Sequence, residues 1–313
     1  MSRAARSWSL SFALAAAALG LVAIRPAPRA ESHAFVSRGA QHPLDPKGRL
    51  RLVHIADLPP LGAENLMEQF LSEMARLRPD AILVGGDVVY GETPAAYDAM
   101  ADYLRRLEDL GIQVIVAPGN HERKAWPEYL RHFGTQTGGR TDLGSVSVIR
   151  LDSGHGRDQL TPSQFRSFQA ALEGLEGRTP IVLLHHPLFK APSNLGGEAG
   201  GSGGILHGFR EPFIELCRSK GVALVLSGHW HCDAVFDAQG HSRTDGPDPP
   251  GPLFVVTTSL GNELREVVPG VKLFHGYRVL EFEGGRLRRY TEDLDGDGRP
   301  DPVVSRPLGR AFP

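Results

Sequence analysis

The sequence predicts an α/β protein, a sandwich of mixed β-sheets with helices outside, on three observations. Short apolar runs recur along the chain, too short for helices and closed by glycine, proline or polar residues. Segments with apolar residues at helical spacing alternate with them, as in layered α/β folds. The last runs look antiparallel and finish the sheet.

Taken in order, Leu50 to Ala56 is a strand that ends at Asp57. Residues 62–78 are helical, with Leu66, Phe70, Met74 and Leu77 on one face and Pro79 as the stop. Ala81 to Gly85 is a buried strand, after which Gly86 lets the backbone turn into Asp87. A helix near 94–110 shows Tyr97, Met100, Leu104 and Leu107 together, and Ile112 to Ala117 is the next strand. Ser145 to Leu151 is a strand, and Thr161-Pro162-Ser163-Gln164 opens a helix as a capping box with proline at its first position. Phe165, Phe168, Leu172 and Leu175 line that helix's inner face. Ile181 to Leu184 runs into His185-His186-Pro187. A glycine-rich loop at 191–206 precedes a helix near 209–219, and Val222 to Leu226 ends at Ser227-Gly228-His229-Trp230-His231. Strands near 253–258 and 276–282, with Arg286 to Tyr290, complete the count.

The ends of the chain differ from this core. Arg3 and Arg6 precede an apolar, alanine-rich run from Trp8 to Ile24, which fits a signal peptide or an N-terminal membrane anchor over residues 1–30 and an exported, periplasmic or extracellular protein. Residues 31–49 form a linker, 50–291 the domain and 292–313 a tail. Two cysteines, Cys217 and Cys232, exclude a disulfide scaffold, although a single pairing stays open in an exported protein. A formal charge of −2 gives no global field toward nucleic acid.

Chemistry gathers at the strand ends. Asp57, Asp87, Asn120, His185 and the pair His229/His231 each follow an apolar strand, where ligands and metals collect in open α/β sheets. A carboxylate can touch two cations at once, and Asp87 is the candidate for that place. Carboxylate, amide oxygen and imidazole suit Fe, Mn, Zn or Co better than a thiolate set would. The ordered set Asp57-Leu58-Pro59, Gly86-Asp87, Gly119-Asn120-His121-Glu122, His185 and Gly228-His229-Trp230-His231 resembles the calcineurin-like metallophosphoesterase superfamily over roughly residues 50–290.

That resemblance implies a four-layer α/β/β/α sandwich of two mixed β-sheets flanked by helices. It also implies two divalent or trivalent metal ions, Fe with Zn, Mn or Fe, and a bridging hydroxide that attacks phosphate mono- or diesters of small molecules. Asp57, His231 and Tyr90 would hold the first ion, Asn120, His185 and His229 the second, and Asp87 both. His121 would act on the substrate side, and His207 is a second candidate there. Glu122 could orient His121 or be solvated, and His186 should point away from His185. His54 fits either a role behind the ligands or simple burial in its strand.

The departures are informative. The superfamily's usual first motif has histidine where Pro59 stands, and proline binds no metal. Purple acid phosphatases also lack that histidine and use the tyrosine of Gly-Asp-x-x-Tyr, which Gly86-Asp87-Val88-Val89-Tyr90 matches. Phenolate is a hard donor suited to Fe(III). Two alternatives stay open: the same fold acting as a Mn/Fe or Zn phosphodiesterase without tyrosine ligation, and an inactive metal-binding interaction protein. The glycine run at 196–204 lacks the context of a phosphate-binding loop and suits a rim beside the site. Asp293, Asp295, Asp297 and Asp301 resemble positions 1, 3, 5 and 9 of a calcium loop, but position 12 is Val304; calcium and a plain acidic turn both remain.

Overall fold

The structure is a computed structural model that describes residues 48–62, 64–134, 136–154, 160–175, 177–189, 209–241, 251–262, 275–292 and 306–307. The predicted leader, the glycine run at 196–204, His207 and the acidic run at 293–301 lie outside the described residues. Among the described residues no helix is long and apolar enough to cross a membrane.

The chain first builds β1 (Arg49–Ile55), α1 (Glu64–Leu77), β2 (Ala81–Gly85), α2 (Pro94–Asp109) and β3 (Gln113–Ala117). A short α3 (Asn120–Lys124) and α4 (Trp126–Phe133) follow, then β4 (Gly139–Leu143), β5 (Val146–Arg150), α5 (Pro162–Ala171) and β6 (Thr179–Leu183). The remainder is α6 (Arg210–Ser219), β7 (Leu224–Ser227), β8 (Ala234–Phe236), β9 (Leu253–Val256), β10 (Arg278–Glu283), β11 (Arg286–Glu292) and β12 (Arg306–Pro307). One sheet has the order β12-β11-β10-β1-β2-β3, the other β4-β5-β6-β7-β9-β8. Both are mixed: β1, β2 and β3 run parallel beside antiparallel β10, and β5, β6, β7 and β9 run parallel between antiparallel β4 and β8.

Residue alternation explains the layering. On β1 and β2, Leu52 and Leu83 join the apolar cluster shared with Val148, Ile181 and Leu224 of the second sheet. Their neighbours Val53 and Ile82 join the cluster with Phe70, Met74 and Leu104 of α1 and α2. On β6, Ile181 faces the first sheet's residues while Val182 packs with Phe168 and Phe213 of α5 and α6. A strand buried on both faces must be apolar throughout, and that is why β2 shows no polar alternation, whereas the more exposed start of β1 alternates as Arg49-Leu50-Arg51. Two sheets back to back with helices on each outer face give the α/β sandwich anticipated from the sequence.

The capping box at α5 is present: Thr161 Oγ1 accepts from the Gln164 N–H at 3.2 Å, and the Gln164 side chain accepts from the Thr161 N–H at 2.8 Å. Several features depart from the expectations. β1 opens at Arg49, inside the segment read as linker, and β12 in the tail pairs with β11. β9 is antiparallel only to β8 and runs parallel to β7. The edge strands β4 and β8 had little to announce them: β4 is Gly-Arg-Thr-Asp-Leu and half-exposed, and the apolar run of β8, Ala-Val-Phe, has only three residues. Cys217 and Cys232 are both free and buried.

Candidate metal centre

Parallel strands of both sheets end at one edge, and the loops there are stitched to one another. The Asp57 N–H donates to Gly86 O at 3.1 Å, Leu58 N–H to Asp87 O at 3.0 Å, and Gly228 N–H to His185 O at 3.0 Å. Four candidate ligands leave their strands in the left-handed region: Asp57 (φ 53°), Asp87 (φ 49°), His229 (φ 71°) and His231 (φ 52°). A non-glycine residue held there costs on the order of 1–3 kcal/mol and collects at functional sites. The turn swings each side chain from the strand's face toward the common edge. Two glycines make room: a Cβ on Gly119 would lie 2.2 Å from Asp87 Oδ1, and one on Gly228 would lie 2.7 Å from Asp57 Oδ2.

The side chains converge in two overlapping groups. Donor atoms of Asp57, Asp87 and His185 lie within 4.8 Å of one another, as do those of His185, His186 and His229. His185 Nε2 is 3.3 Å from Asp87 Oδ2, 3.1 Å from Asn120 Oδ1 and 3.1 Å from His229 Nδ1. His231 Nε2 is 3.2 Å from Asp57 Oδ1, and the His229 N–H donates to Asp57 Oδ2 at 2.9 Å. Of the predicted ligands described, Asp57, Asp87, Asn120, His185, His229 and His231 therefore share one site.

The donor set fits cations. His185 Nδ1 donates to Gly85 O at 2.8 Å, so a neutral His185 directs its Nε2 lone pair at an amide oxygen, a carboxylate oxygen and another imidazole. Where those lone pairs face one another, a positive charge between them satisfies all of them. Ionisation shows the same demand for positive charge, met by a proton on His185 where no cation is bound. Burial opposes charge on both Asp87 and His185, yet their mutual attraction holds Asp87 well below the usual carboxylate range and His185 up at about 10. Burial, reinforced by the neighbouring histidines, pushes His229 down to about 2, leaving it a neutral base. Neutral imidazole and ionised carboxylate are the forms that bind metal, so Asp87 and His229 are ready for it and His185 exchanges its proton for the cation.

Tyr90 sits at the rim. It is 37% exposed, and its ring lies 4.5 Å from that of His121. The His121 N–H donates to Asp87 Oδ1 at 2.9 Å, and its Nε2 is 3.8 Å from Asp87 Oδ2. His121 Nδ1 is hydrogen-bonded to Glu92, which also accepts from Lys124 Nζ at 2.9 Å. Burial raises the cost of ionising Glu92, but the bonds from Lys124 and His121 prevail and hold its carboxyl low. An ionised Glu92 fixes the proton of His121 on Nδ1 and leaves Nε2 toward the centre.

Three residues were misjudged or missed in the sequence. Glu122 neither orients His121 nor is solvated. It is fully buried and accepts from the N–H groups of Gly119 (2.6 Å), Asp87 (3.0 Å), Val88 (2.9 Å) and Val89 (3.3 Å). Burial and then the charge of Asp87 push it up to about 8, against those four N–H groups. As the third residue of α3 it also caps that helix from inside, and the glycine before Asn120 three positions upstream was the one available signal. Glu92 had no signal beyond its nearness to Tyr90. His186 does not point away: its ring centroid is 4.6 Å from that of His229, and its Nδ1 is 3.0 Å from Ser153 Oγ. His54 is buried with Nδ1 2.7 Å from Thr257 Oγ1, and burial aided by the charge of Arg278 pushes it down to about 3. That leaves it neutral.

A family model described as calcineurin-like phosphoesterase matches residues 50–233. A glycerophosphodiester phosphodiesterase of Enterobacter lignolyticus is 31% identical over 123 residues, covering 36% of this chain and 43% of the relative. A 3′,5′-cyclic-nucleotide phosphodiesterase of Nostoc is 28% identical over 186 residues, covering 56% of this chain and 65% of the relative. The chain thus spans about half the length of the curated relatives it matches. Among solved structures, a purple acid phosphatase from yellow lupin superposes with a TM-score of 0.63 at 16% identity, covering 81% of this chain and 52% of that one. At that identity the likeness speaks to the fold.

The hydrogen bonds to Glu122 generate a prediction. Glu122→Gln keeps one acceptor oxygen and turns an N–H group toward backbone N–H groups, which should cost about 2–3 kcal/mol of stability. Urea denaturation should show it, and metal retention should fall with it because the Asp87 loop loses its anchor. Wild-type stability and retention in this variant would show that the four bonds hold nothing in place.

Proposed function

The chain belongs to the calcineurin-like phosphoesterase family, and from that membership we propose that it is a dinuclear metal-dependent phosphoesterase acting on phosphate mono- or diesters of small molecules. The observation that carries the reading is the buried convergence of Asp57, Asp87, Asn120, His185, His229 and His231 on one edge of the two sheets. Asp57 and His231 would hold one ion, with Tyr90 as its third ligand. Asn120, His185 and His229 would hold the other, and Asp87 would serve both. Iron paired with zinc, manganese or a second iron suits these donors. When bound, such a pair supplies Lewis acidity to phosphoryl oxygens and lowers the pKa of water to near neutrality.

The chain's own residues do the rest. His121 Nε2 faces the centre while Glu92 holds Nδ1–H, so it is the protonated form of His121, with a second N–H on Nε2, that can stabilise charge on the phosphoryl group or deliver that proton to the leaving oxygen. Glu122 fixes the loop that presents Asp87. His207 is the candidate for a second phosphate-side histidine. The relatives named as phosphodiesterases support a diester substrate, and the arginine-flanked apolar leader supports export or anchoring.

Tyr90 admits a second reading with an observation behind it. Its exposure and its ring contact with His121 suit a residue that packs on the catalytic imidazole without binding metal. An iron-loaded, aerobically purified protein separates the two. Phenolate ligation predicts a visible charge-transfer band that Tyr90→Phe abolishes; a colourless protein with full iron content means packing alone.

Activity is tested with 4-nitrophenyl phosphate and its bis-ester on protein loaded with iron plus zinc or manganese. Hydrolysis of at least one is expected, and His121→Ala should lower kcat about 10²–10⁴-fold with metal content retained. No hydrolysis of either ester by fully loaded protein leaves the inactive binding protein as the better account. Loss of metal from His121→Ala reassigns that residue as a ligand.

A further inference from the structure

The two loops that carry Asp57 and Asp87 also wall a shallow apolar cleft beside the centre. Pro59, Pro60 and Leu61 form one side, Val89 and Tyr90 another, and Ala99 on α2 is part of its floor. Among the described residues three large hydrophobic side chains are exposed, and two of them, Leu61 at 51% and Tyr90 at 37%, line this cleft. These two side chains lie together rather than scattered singly, as the contact surface for an apolar ligand requires. Among the described residues no charged side chain lines the cleft. The ionic groups near His121, Glu92 and Lys124, form a separate cluster on that imidazole.

Continuity with the centre identifies the occupant. Pro59 follows Asp57 by two residues, and the Tyr90 ring connects the cleft to His121, the proposed proton donor to the leaving oxygen. A group attached to that oxygen would extend past Tyr90 into the cleft. Two consecutive prolines keep the first wall rigid, so the cleft needs little ordering when it fills. Resting on the phosphoesterase reading above, we infer that this cleft receives the alcohol portion of the ester, and that this alcohol is aromatic or otherwise apolar. Pro59, which displaces the family's usual histidine, thereby has a positive role as the junction between centre and cleft. A polyhydroxyl alcohol such as glycerol would bury its hydroxyls against apolar walls and be disfavoured.

The test uses the full-length, metal-loaded chain and two substitutions at half-buried or exposed positions, Ala99→Phe, which fills the cleft, and Leu61→Asp, which charges its wall. Thermal melting first establishes that both variants fold. Wild type should prefer phenyl over glyceryl phosphodiesters, and each variant should reduce that preference about tenfold or more, mainly through KM. Binding of 1-naphthol, followed by its own fluorescence, needs no hydrolysis and should be saturable in wild type and weakened in Ala99→Phe. Equal rates on the two esters in wild type, or a preference and naphthol binding unchanged in both variants, overturn the inference. If no ester is cleaved while naphthol binding is lost in Ala99→Phe, the phosphoesterase reading fails and the apolar subsite stands.

Discussion

Lone pairs pressed against lone pairs in a dry pocket are the constraint on which the rest of this structure depends. His185, committed to donating to Gly85 O, points its other nitrogen at Asn120 Oδ1, Asp87 Oδ2 and His229 Nδ1 within 3.3 Å. Positive charge satisfies such a cluster, whether a proton on His185 or bound cations. Two nearby hydroxyls are already occupied with the backbone: Ser259 Oγ donates to Asp57 O and Ser153 Oγ accepts from the His185 and His186 N–H groups.

Holding that cluster requires the fold to work at its limits. Four ligands sit in left-handed backbone conformations that a strand end adopts only under constraint, and glycines beside them admit no side chain. The constraint is supplied by the apolar layers between and outside the sheets, and locally by Glu122, whose buried carboxyl group gathers four backbone N–H groups from two loops. Glu92 does for His121 what Glu122 does for Asp87. One orients a side chain that faces the centre, the other a loop that carries a candidate ligand.

Much of this was legible in the sequence because strands buried on both faces are continuous apolar runs, and the residue after each run is placed by the strand itself. That logic located Asp57, Asp87, Asn120, His185 and the His229/His231 pair. It failed where placement depends on partners far along the chain. Glu122 looks like any helix-surface glutamate until Asp87 and Val88, more than thirty positions away, bring their N–H groups to it. His186 was assigned by strand alternation, but the chain leaves β6 before His185, so alternation no longer applies at that position. The strands β4 and β8 are short edge elements whose pairing, not their composition, makes them strands.

The central claim is that these donors hold two cations. Elemental analysis of the stripped and reloaded full-length chain, with calorimetric titration, tests it most directly. Two tightly held transition-metal ions per chain are expected, with Asp87→Asn retaining one or none. A chain that binds a single ion or none at saturating metal, or an Asp87→Asn variant that still binds two, would contradict the account.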